Sequence, residues 1–247
     1  MPLHAKEMLE TGAAALLFAA TFLAGGHVRV PPFLMGGVRG SISFGGGMSI
    51  AYVFVHVMPE LHDVRHAFAT SVSVPLRYEG MAIYFVALAG FMLFYALDHL
   101  RNHLRDAVPA GEGRPAFRIH LGGFTPYVLL MAYLLVRNLD EAPAATALYT
   151  VAIVFHFKSI DRSLEVEHGH AYQRVGRLVL GGAALLGWGL GLLFALPRDV
   201  LALLMAFVSG SIIMNSAIME LSLEKRERFW PFVTGGLVYG LVLLPLG

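Results

Sequence analysis

Five polar residues interrupt long apolar stretches in the C-terminal half of the chain, and their chemical types suit the binding or passage of ions. They are His156, Lys158, Asp161, Asn215 and Glu220. Ionisable side chains are costly to hold in apolar surroundings, so they are usually paired with one another or line a path for ions or protons. We therefore predict that these five residues line an ion pathway.

Imidazole and carboxylate groups also occur at a spacing that suits metal binding. His56 and Glu60 are four residues apart, and side chains at that spacing share one face of a helix. Both groups are ligands for zinc and other borderline divalent cations. The predicted metal ligands are His56, Glu60, His156, Asp161 and Glu220. No resident cofactor is predicted, and zinc or another divalent cation is expected only as a substrate.

Lys158 leaves two interpretations open. In the first, it neutralises Asp161, three residues away, or Glu220, and so links two helices. In the second, its ammonium group belongs to an ion or proton pathway. A fixed ammonium about 4 Å from a divalent cation costs several kcal/mol even at an effective dielectric of about 20. A metal beside Lys158 would therefore need two nearby carboxylates or a neutral lysine.

Two further groups of histidine and acidic residues follow apolar segments. The first group begins with His56 and Glu60 and continues with His62, Asp63 and His66, and the second is Glu165, Glu167, His168 and His170. We interpret both groups as solvated helix ends, with metal binding as the open alternative.

The elements that carry these residues are predicted to be membrane-spanning helices. Of the 247 residues, 57% are hydrophobic and only 14% are charged, and the mean hydropathy is +0.66. Water-soluble domains rarely have that balance. A spanning helix needs about 20 mostly apolar residues. Eight such segments are predicted: Thr11–Gly26, Ser41–Met58, Gly80–Leu97, Ile119–Val136, Ala144–Ile160, Leu178–Leu196, Val200–Met219 and Phe229–Leu246. The predicted fold class is an all-α integral membrane protein, an eight-helix transmembrane bundle.

Basic residues between the segments predict the orientation, because cytoplasmic loops carry the excess of Lys and Arg. Twelve lie in alternate connections: Arg29, Arg39, Arg101, Arg105, Arg114, Arg118, Arg162, Arg174, Arg177, Lys225, Arg226 and Arg228. Five lie on the other side: Lys6, Arg65, Arg77, Arg137 and Arg198. Both termini are therefore predicted to lie outside the cytoplasm, and we expect the membrane to be a bacterial inner (plasma) membrane.

Little of the chain is left for a soluble domain. We predict one transmembrane domain over residues 1–247, with a cytoplasmic loop at about 98–118. The chain has no cysteine, which excludes disulfides and thiolate metal sites. It has no phosphate-loop or nucleophile-elbow motif, so neither an enzyme nor a nucleic-acid-binding protein is predicted. The predicted partners are the lipid bilayer, a metal ion and, as an open alternative, a second copy of the chain.

Two segments with opposite predicted directions resemble each other, namely Gly46–Glu60 and Gly210–Glu224. In each, a patch of small residues precedes a polar residue ten positions after the first glycine, and a glutamate follows four positions later. Opposite directions in similar segments are typical of the inverted repeats of secondary transporters. The predicted repeat relates the first three helices to the last three.

The segment Gly45–Glu60 is glycine-rich, then apolar, and ends in His56-Val57-Met58-Pro59-Glu60. It resembles the second helix of the ZIP (ZRT/IRT-like) family of divalent metal transporters. Gly90–Tyr95 is similar to the family's third helix, and Glu220–Glu224 is similar to its seventh. The resemblance implies an eight-helix bundle that takes up divalent cations by alternating access, with metal ligands on its fourth and fifth helices.

The predicted fourth and fifth helices depart from that family's pattern. Ile119–Val136 carries no ligand motif, and we interpret Arg137–Glu141 at its outer end as a loop cap. His156 matches the family's histidine on helix five, but Phe157 and Lys158 follow it in place of an acidic partner. The leading prediction is transport of a zinc-like divalent metal. The alternative is a ZIP-like protein whose degenerate metal site serves sensing, scaffolding or the transport of another ion.

Overall fold

The computed structural model describes residues 5–25, 38–63, 81–107, 114–137, 143–221 and 229–246, and every element in these ranges is helical. The predicted all-α class is therefore confirmed. In chain order, the helices are α1 (Ala5–Leu23), α2 (Val38–Tyr52), α3 (Ala82–Ala107), α4 (Arg114–Val136), α5 (Pro143–Ala171), α6 (Arg177–Leu193), α7 (Arg198–Leu221) and α8 (Phe229–Leu243).

Two π-helical turns adjoin these helices. α2 continues into the turn Val53–Val57, and the turn Tyr172–Gly176 leads into α6. Such turns are often found at functional sites, where they change which way the following side chains face. The first turn carries His56, and the second begins with Tyr172.

Five helical stretches in the described ranges are long and apolar enough to cross a membrane, which is consistent with an integral membrane protein. They are Gly40–Asp63, Ala82–Leu104, Pro115–Val136, Thr146–Leu193 and Arg198–Ile218. The fourth stretch contains 48 residues. A straight helix of that length would extend about 72 Å, more than twice the roughly 30 Å hydrocarbon core of a bilayer.

Gly169 interrupts this long stretch. Its φ is 49° and its ψ is −124°, a conformation that glycine adopts far more readily than other residues. The Tyr172 hydroxyl lies 2.9 Å from a carboxylate oxygen of Asp161. In an uninterrupted helix, residues eleven apart would be separated by about 16 Å along the axis. The chain therefore reverses direction at Gly169, between the predicted segments Ala144–Ile160 and Leu178–Leu196.

The chain divides into two compact units. Unit 1 comprises Met1–Arg29, Leu93–Arg137 and Phe157–Ala195, and unit 2 comprises Val30–Met92, Asn138–His156 and Leu196–Gly247. α3 and α5 contribute residues to both units.

Glycines bring helix backbones close together within each unit, as expected for apolar helices packed against one another. In unit 1, Gly187 of α6 lies so close to Leu129 of α4 that an added methyl group would overlap the Leu129 carbonyl oxygen. In unit 2, Gly47 of α2 lies equally close to the carbonyl oxygen of Phe232 in α8.

The connection predicted as a loop over about 98–118 is largely helical in its described part. α3 continues to Ala107 and α4 already begins at Arg114. Arg101 contacts Asp98 at 2.5 Å, and Asn102 donates to the other oxygen of Asp98 at 3.1 Å. Polar pairs three and four residues apart stabilise a helix, which is why the polar composition does not end α3.

Candidate functional site

Asp161 is the centre of a buried polar network in unit 1, where its side chain is 1% exposed. The Tyr172 hydroxyl donates to Oδ1 at 2.9 Å, and Nε of Arg177 donates to the same oxygen at 3.2 Å. Nζ of Lys158 lies 3.8 Å from Oδ2. The ion pair expected from the spacing of Lys158 and Asp161 is therefore present. A buried carboxylate keeps its charge at tolerable cost only with partners of this kind.

Glu165, one helical turn after Asp161, extends the network. Nη2 of Arg177 lies 2.9 Å from Oε1 of Glu165, so one guanidinium joins the two carboxylates. Nη1 of Arg162 lies 2.7 Å from Oε2, and Gln173 donates to Oε1 at 3.1 Å. The two helical arms on either side of Gly169 are thereby held together by charged contacts.

The charge balance of this network disfavours a metal at Asp161. Among the described residues, three cationic side chains contact its two carboxylates, so this group has no excess negative charge. A divalent cation bound to Asp161 would also be repelled by the Lys158 ammonium group. Of the two interpretations of Lys158, these contacts favour neutralisation of Asp161.

The end of α1 completes the surroundings of Lys158. Its Nζ donates to the carbonyl oxygen of Gly25 at 2.6 Å. Carbonyl groups that follow the C-terminus of a helix carry partial negative charge, which suits an ammonium group. A methyl group on Gly25 would overlap the Asp161 carboxylate, so glycine is required for this close approach.

Two predicted histidines are buried in unit 2. His56 is 6% exposed within the π-helical turn, and His156 on α5 is 0% exposed. The His56 ring lies 5.3 Å from Tyr52, and the Tyr52 ring lies 5.7 Å from Tyr149. Tyr149 precedes His156 by seven residues, or about two helical turns, so the two share a face of α5.

The other predicted residues of unit 2 differ in their surroundings. Asn215 on α7 is buried, and its side-chain nitrogen has no hydrogen-bond partner among the described residues. Glu60 is partly exposed after the π-helical turn. Glu220 lies near the end of α7, and its side chain is outside the described residues.

The segment interpreted as a loop cap, Arg137–Glu141, is described only at its first residue. Nε of Arg137 donates to the carbonyl oxygen of Gly191 at 2.7 Å. Arg137 therefore caps the C-terminal end of α6, where carbonyl groups lack helical partners. Residues 138–141 lie outside the described ranges.

Three residues that contact Asp161 or Lys158 are missing from the predicted site, namely Gly25, Tyr172 and Arg177. Tyr172 and Arg177 reach Asp161 only because the chain reverses at Gly169. Gly169 is the sequence feature that could have predicted this reversal, since a glycine in a polar stretch between two apolar segments often marks a break in a helix. For Gly25 the sequence carries no comparable signal.

A second polar cluster lies in unit 1, between α4 and the end of α5. Nδ1 of His120 is 3.0 Å from Nε2 of His168 and 3.3 Å from Oε2 of Glu167. Arg101 of α3 also contacts Glu167. Glu167 and His168 belong to a group interpreted from the sequence as a solvated helix end, and His120 is not among the predicted site residues.

No protein-family model and no curated protein matches this chain. A functional assignment therefore depends on the contacts and burial of its own residues.

Proposed function

We propose that this chain is a ZIP-like membrane transporter that moves a zinc-like divalent cation by alternating access. The observation that carries the proposal is the burial of His56 in a π-helical turn within the apolar stretch Gly40–Asp63. Buried ionisable groups in spanning helices commonly mark ion pathways. Imidazole is among the preferred ligands of zinc.

Most of the predicted site residues belong to one compact unit, which supports a shared role. His56, Glu60, His156, Asn215 and Glu220 are all residues of unit 2. We propose the two histidines and two glutamates as metal ligands, with Asn215 lining the pathway. In this proposal Asp161 and Lys158 support the bundle, because Asp161 already has Lys158 and Arg177 as cationic partners.

The proposed topology has eight crossings, with both termini outside the cytoplasm of a bacterium and an inverted repeat between the first and last three helices. The reversal at Gly169 supports counting Thr146–Leu193 as two crossings. The five long stretches then provide six crossings, and α1 and α8 complete the eight.

Zinc uptake into vesicles tests the transport proposal. Purified protein is reconstituted into liposomes that contain a zinc-sensitive dye or, in a parallel preparation, a magnesium-sensitive dye, and uptake is compared for Zn²⁺ and Mg²⁺. We expect uptake of Zn²⁺ but not Mg²⁺, and His56→Ala should slow it by about tenfold or more, as loss of a ligand does.

His62→Ala is the matched control, because His62 is an exposed histidine on the same helical stretch. It should transport like the wild type. Equal uptake by His56→Ala and His62→Ala would remove His56 from the pathway, and folded wild-type protein without zinc uptake would contradict the transport proposal.

A second candidate function is supported by the contacts of Asp161 with Lys158 and Arg177. In that case the protein's own cations replace a metal, and the chain acts as a sensor, a scaffold or a carrier of another ion. Folded wild-type protein that takes up no divalent metal would favour this candidate.

A further inference from the structure

Three potential ligand atoms converge in unit 1, whereas the residues proposed for transport belong to unit 2. They are Nδ1 of His120, Nε2 of His168 and Oε2 of Glu167, and they lie within 4.8 Å of one another. The three separations are 3.0 Å between the imidazole nitrogens, 3.3 Å from His120 to Glu167 and 3.9 Å from His168 to Glu167.

These separations match the geometry of a tetrahedral metal site. Zinc binds imidazole nitrogen and carboxylate oxygen at about 2.0–2.2 Å, so two ligand atoms of one tetrahedral site lie about 3.3–3.5 Å apart. The three observed distances bracket that value. The atoms therefore lie close to one face of a tetrahedron. Metal binding would need small side-chain movements and release to solvent of the proton that the two imidazole nitrogens share.

Aromatic packing holds both imidazole rings in place. His168 lies edge-to-face against Phe117 at 5.3 Å, and His120 lies 5.2 Å from Phe124. The two histidine side chains are largely buried, whereas Glu167 is partly exposed. Imidazole rings that are fixed by packing lose little conformational entropy when they bind a metal. The partly exposed Glu167 carboxylate gives a metal ion access to the site from solvent.

Arg101 places a positive charge beside Glu167. Its guanidinium contacts Glu167 through Nη1 and Asp98 through Nη2, the latter at 2.5 Å. Without a metal, Arg101 supplies the positive charge that Glu167 needs. When a metal binds Glu167, Arg101 keeps Asp98 as its partner, but its charge still opposes the incoming cation.

We propose that His120, Glu167 and His168 form a binding site for a borderline divalent cation of the zinc class, with Arg101 as a built-in competitor for Glu167. Two imidazoles and one carboxylate suit zinc better than magnesium or calcium, which prefer all-oxygen ligands. Three protein ligands leave the fourth position to water, as in zinc sites that keep one position open. The site goes beyond the transport pathway proposed above, because it shares no residue with it.

Zinc titration of the full-length protein in detergent tests this site. The protein is purified without a histidine tag, and Zn²⁺ binding is measured by calorimetry, with Co²⁺ absorption as a report on tetrahedral coordination. We expect His120→Ala and the isosteric Glu167→Gln each to weaken binding at this site by about tenfold or more. His170→Ala should bind like the wild type, because His170 is exposed on the same segment.

Arg101→Met gives the opposite and more specific result. Removing a unit charge close to a divalent cation should tighten zinc binding by roughly tenfold, while a merely structural role for Arg101 predicts no gain. Size-exclusion profiles establish that each variant is folded, and Glu167→Gln keeps the test decisive if His120→Ala does not fold.

Wild-type affinity in both His120→Ala and Glu167→Gln would overturn the site, as would weaker zinc binding in folded Arg101→Met. Binding in detergent does not require transport. If the protein binds zinc at this site but transports none into vesicles, the proposed binding site stands and the proposed transport function is contradicted.

Discussion

Arg177 contacts two carboxylates of unit 1, whereas Lys158 contacts one carboxylate and one backbone carbonyl. We therefore expect Arg177 to contribute more to the stability of the fold than Lys158. Loss of Arg177 leaves both Asp161 and Glu165 without their shared partner. Loss of Lys158 leaves Asp161 with Arg177 and Tyr172.

We expect Arg177→Met to lower the free energy of unfolding by about 3–5 kcal/mol, as for other broken buried ion pairs. Lys158→Met should cost less, roughly 1–3 kcal/mol, because Asp161 keeps two hydrogen-bond donors. Thermal unfolding in detergent at neutral pH measures both. Arg162→Met is the control, since its side chain is 45% exposed and such pairs contribute about 0–1 kcal/mol.

Acid should narrow the difference between Arg177→Met and the wild type. A protonated Asp161 carries no charge and no longer needs a cationic partner, so the penalty for losing Arg177 shrinks as the pH falls. The same unfolding measurement at mildly acidic pH checks this. A difference that stays constant or grows with acid would show that the contribution of Arg177 is packing rather than charge.

At the scale of helices, close packing in unit 1 depends on which glycine faces a neighbour. Gly187 and Gly189 lie two residues apart on α6. Gly187 faces the Leu129 backbone of α4, whereas no described residue lies within 4 Å of a methyl group added at Gly189.

Gly187→Ala should therefore separate α4 from α6 and destabilise the protein by about 1–3 kcal/mol, the usual cost of overpacking. Gly189→Ala should be neutral or slightly stabilising, since alanine favours a helix more than glycine does. Thermal unfolding of the two variants in detergent compares them directly. If Gly189→Ala were the more destabilising change, the conclusion that α6 packs against α4 through the face that carries Gly187 would be wrong.

For the whole molecule, the distribution of basic residues predicts the direction of each crossing. The chain has no cysteine, so a single introduced cysteine reports one position without background. Ala110 and Ser71 lie in connections on opposite sides of the predicted membrane, and both are outside the described residues.

Ala110→Cys should be labelled by a membrane-impermeant thiol reagent only after the cells are permeabilised, because its connection is basic and predicted to be cytoplasmic. Ser71→Cys should be labelled in intact cells. Labelling of Ala110→Cys in intact cells with protection of Ser71→Cys would reverse the orientation, and labelling of both in intact cells would contradict the predicted number of crossings between them.

The composition and the long apolar segments of the sequence were enough to predict an all-helical chain whose helices suit a membrane. The reason is that helix formation and transfer into lipid depend on local hydrophobicity summed over about 20 residues. The ion pair between Lys158 and Asp161 was predictable for a similar reason, because residues three apart on a helix are always neighbours. The predicted connection beyond Asp98 continues as part of α3 up to Ala107, since side-chain pairs within it stabilise that helix.

Contacts between distant residues were decided only by the tertiary structure. Arg177 reaches Asp161 because one glycine, Gly169, turns the chain back on itself. His120 meets His168 across 48 positions of sequence because α4 packs beside the end of α5. Hydrophobic periodicity predicts which face of each helix is apolar, but it does not predict which helices become neighbours. One apolar face can pack against many others, and close backbone packing at small residues decides which pairs form. Polar residues that become neighbours through this helix packing are therefore not recognisable as a motif in the sequence.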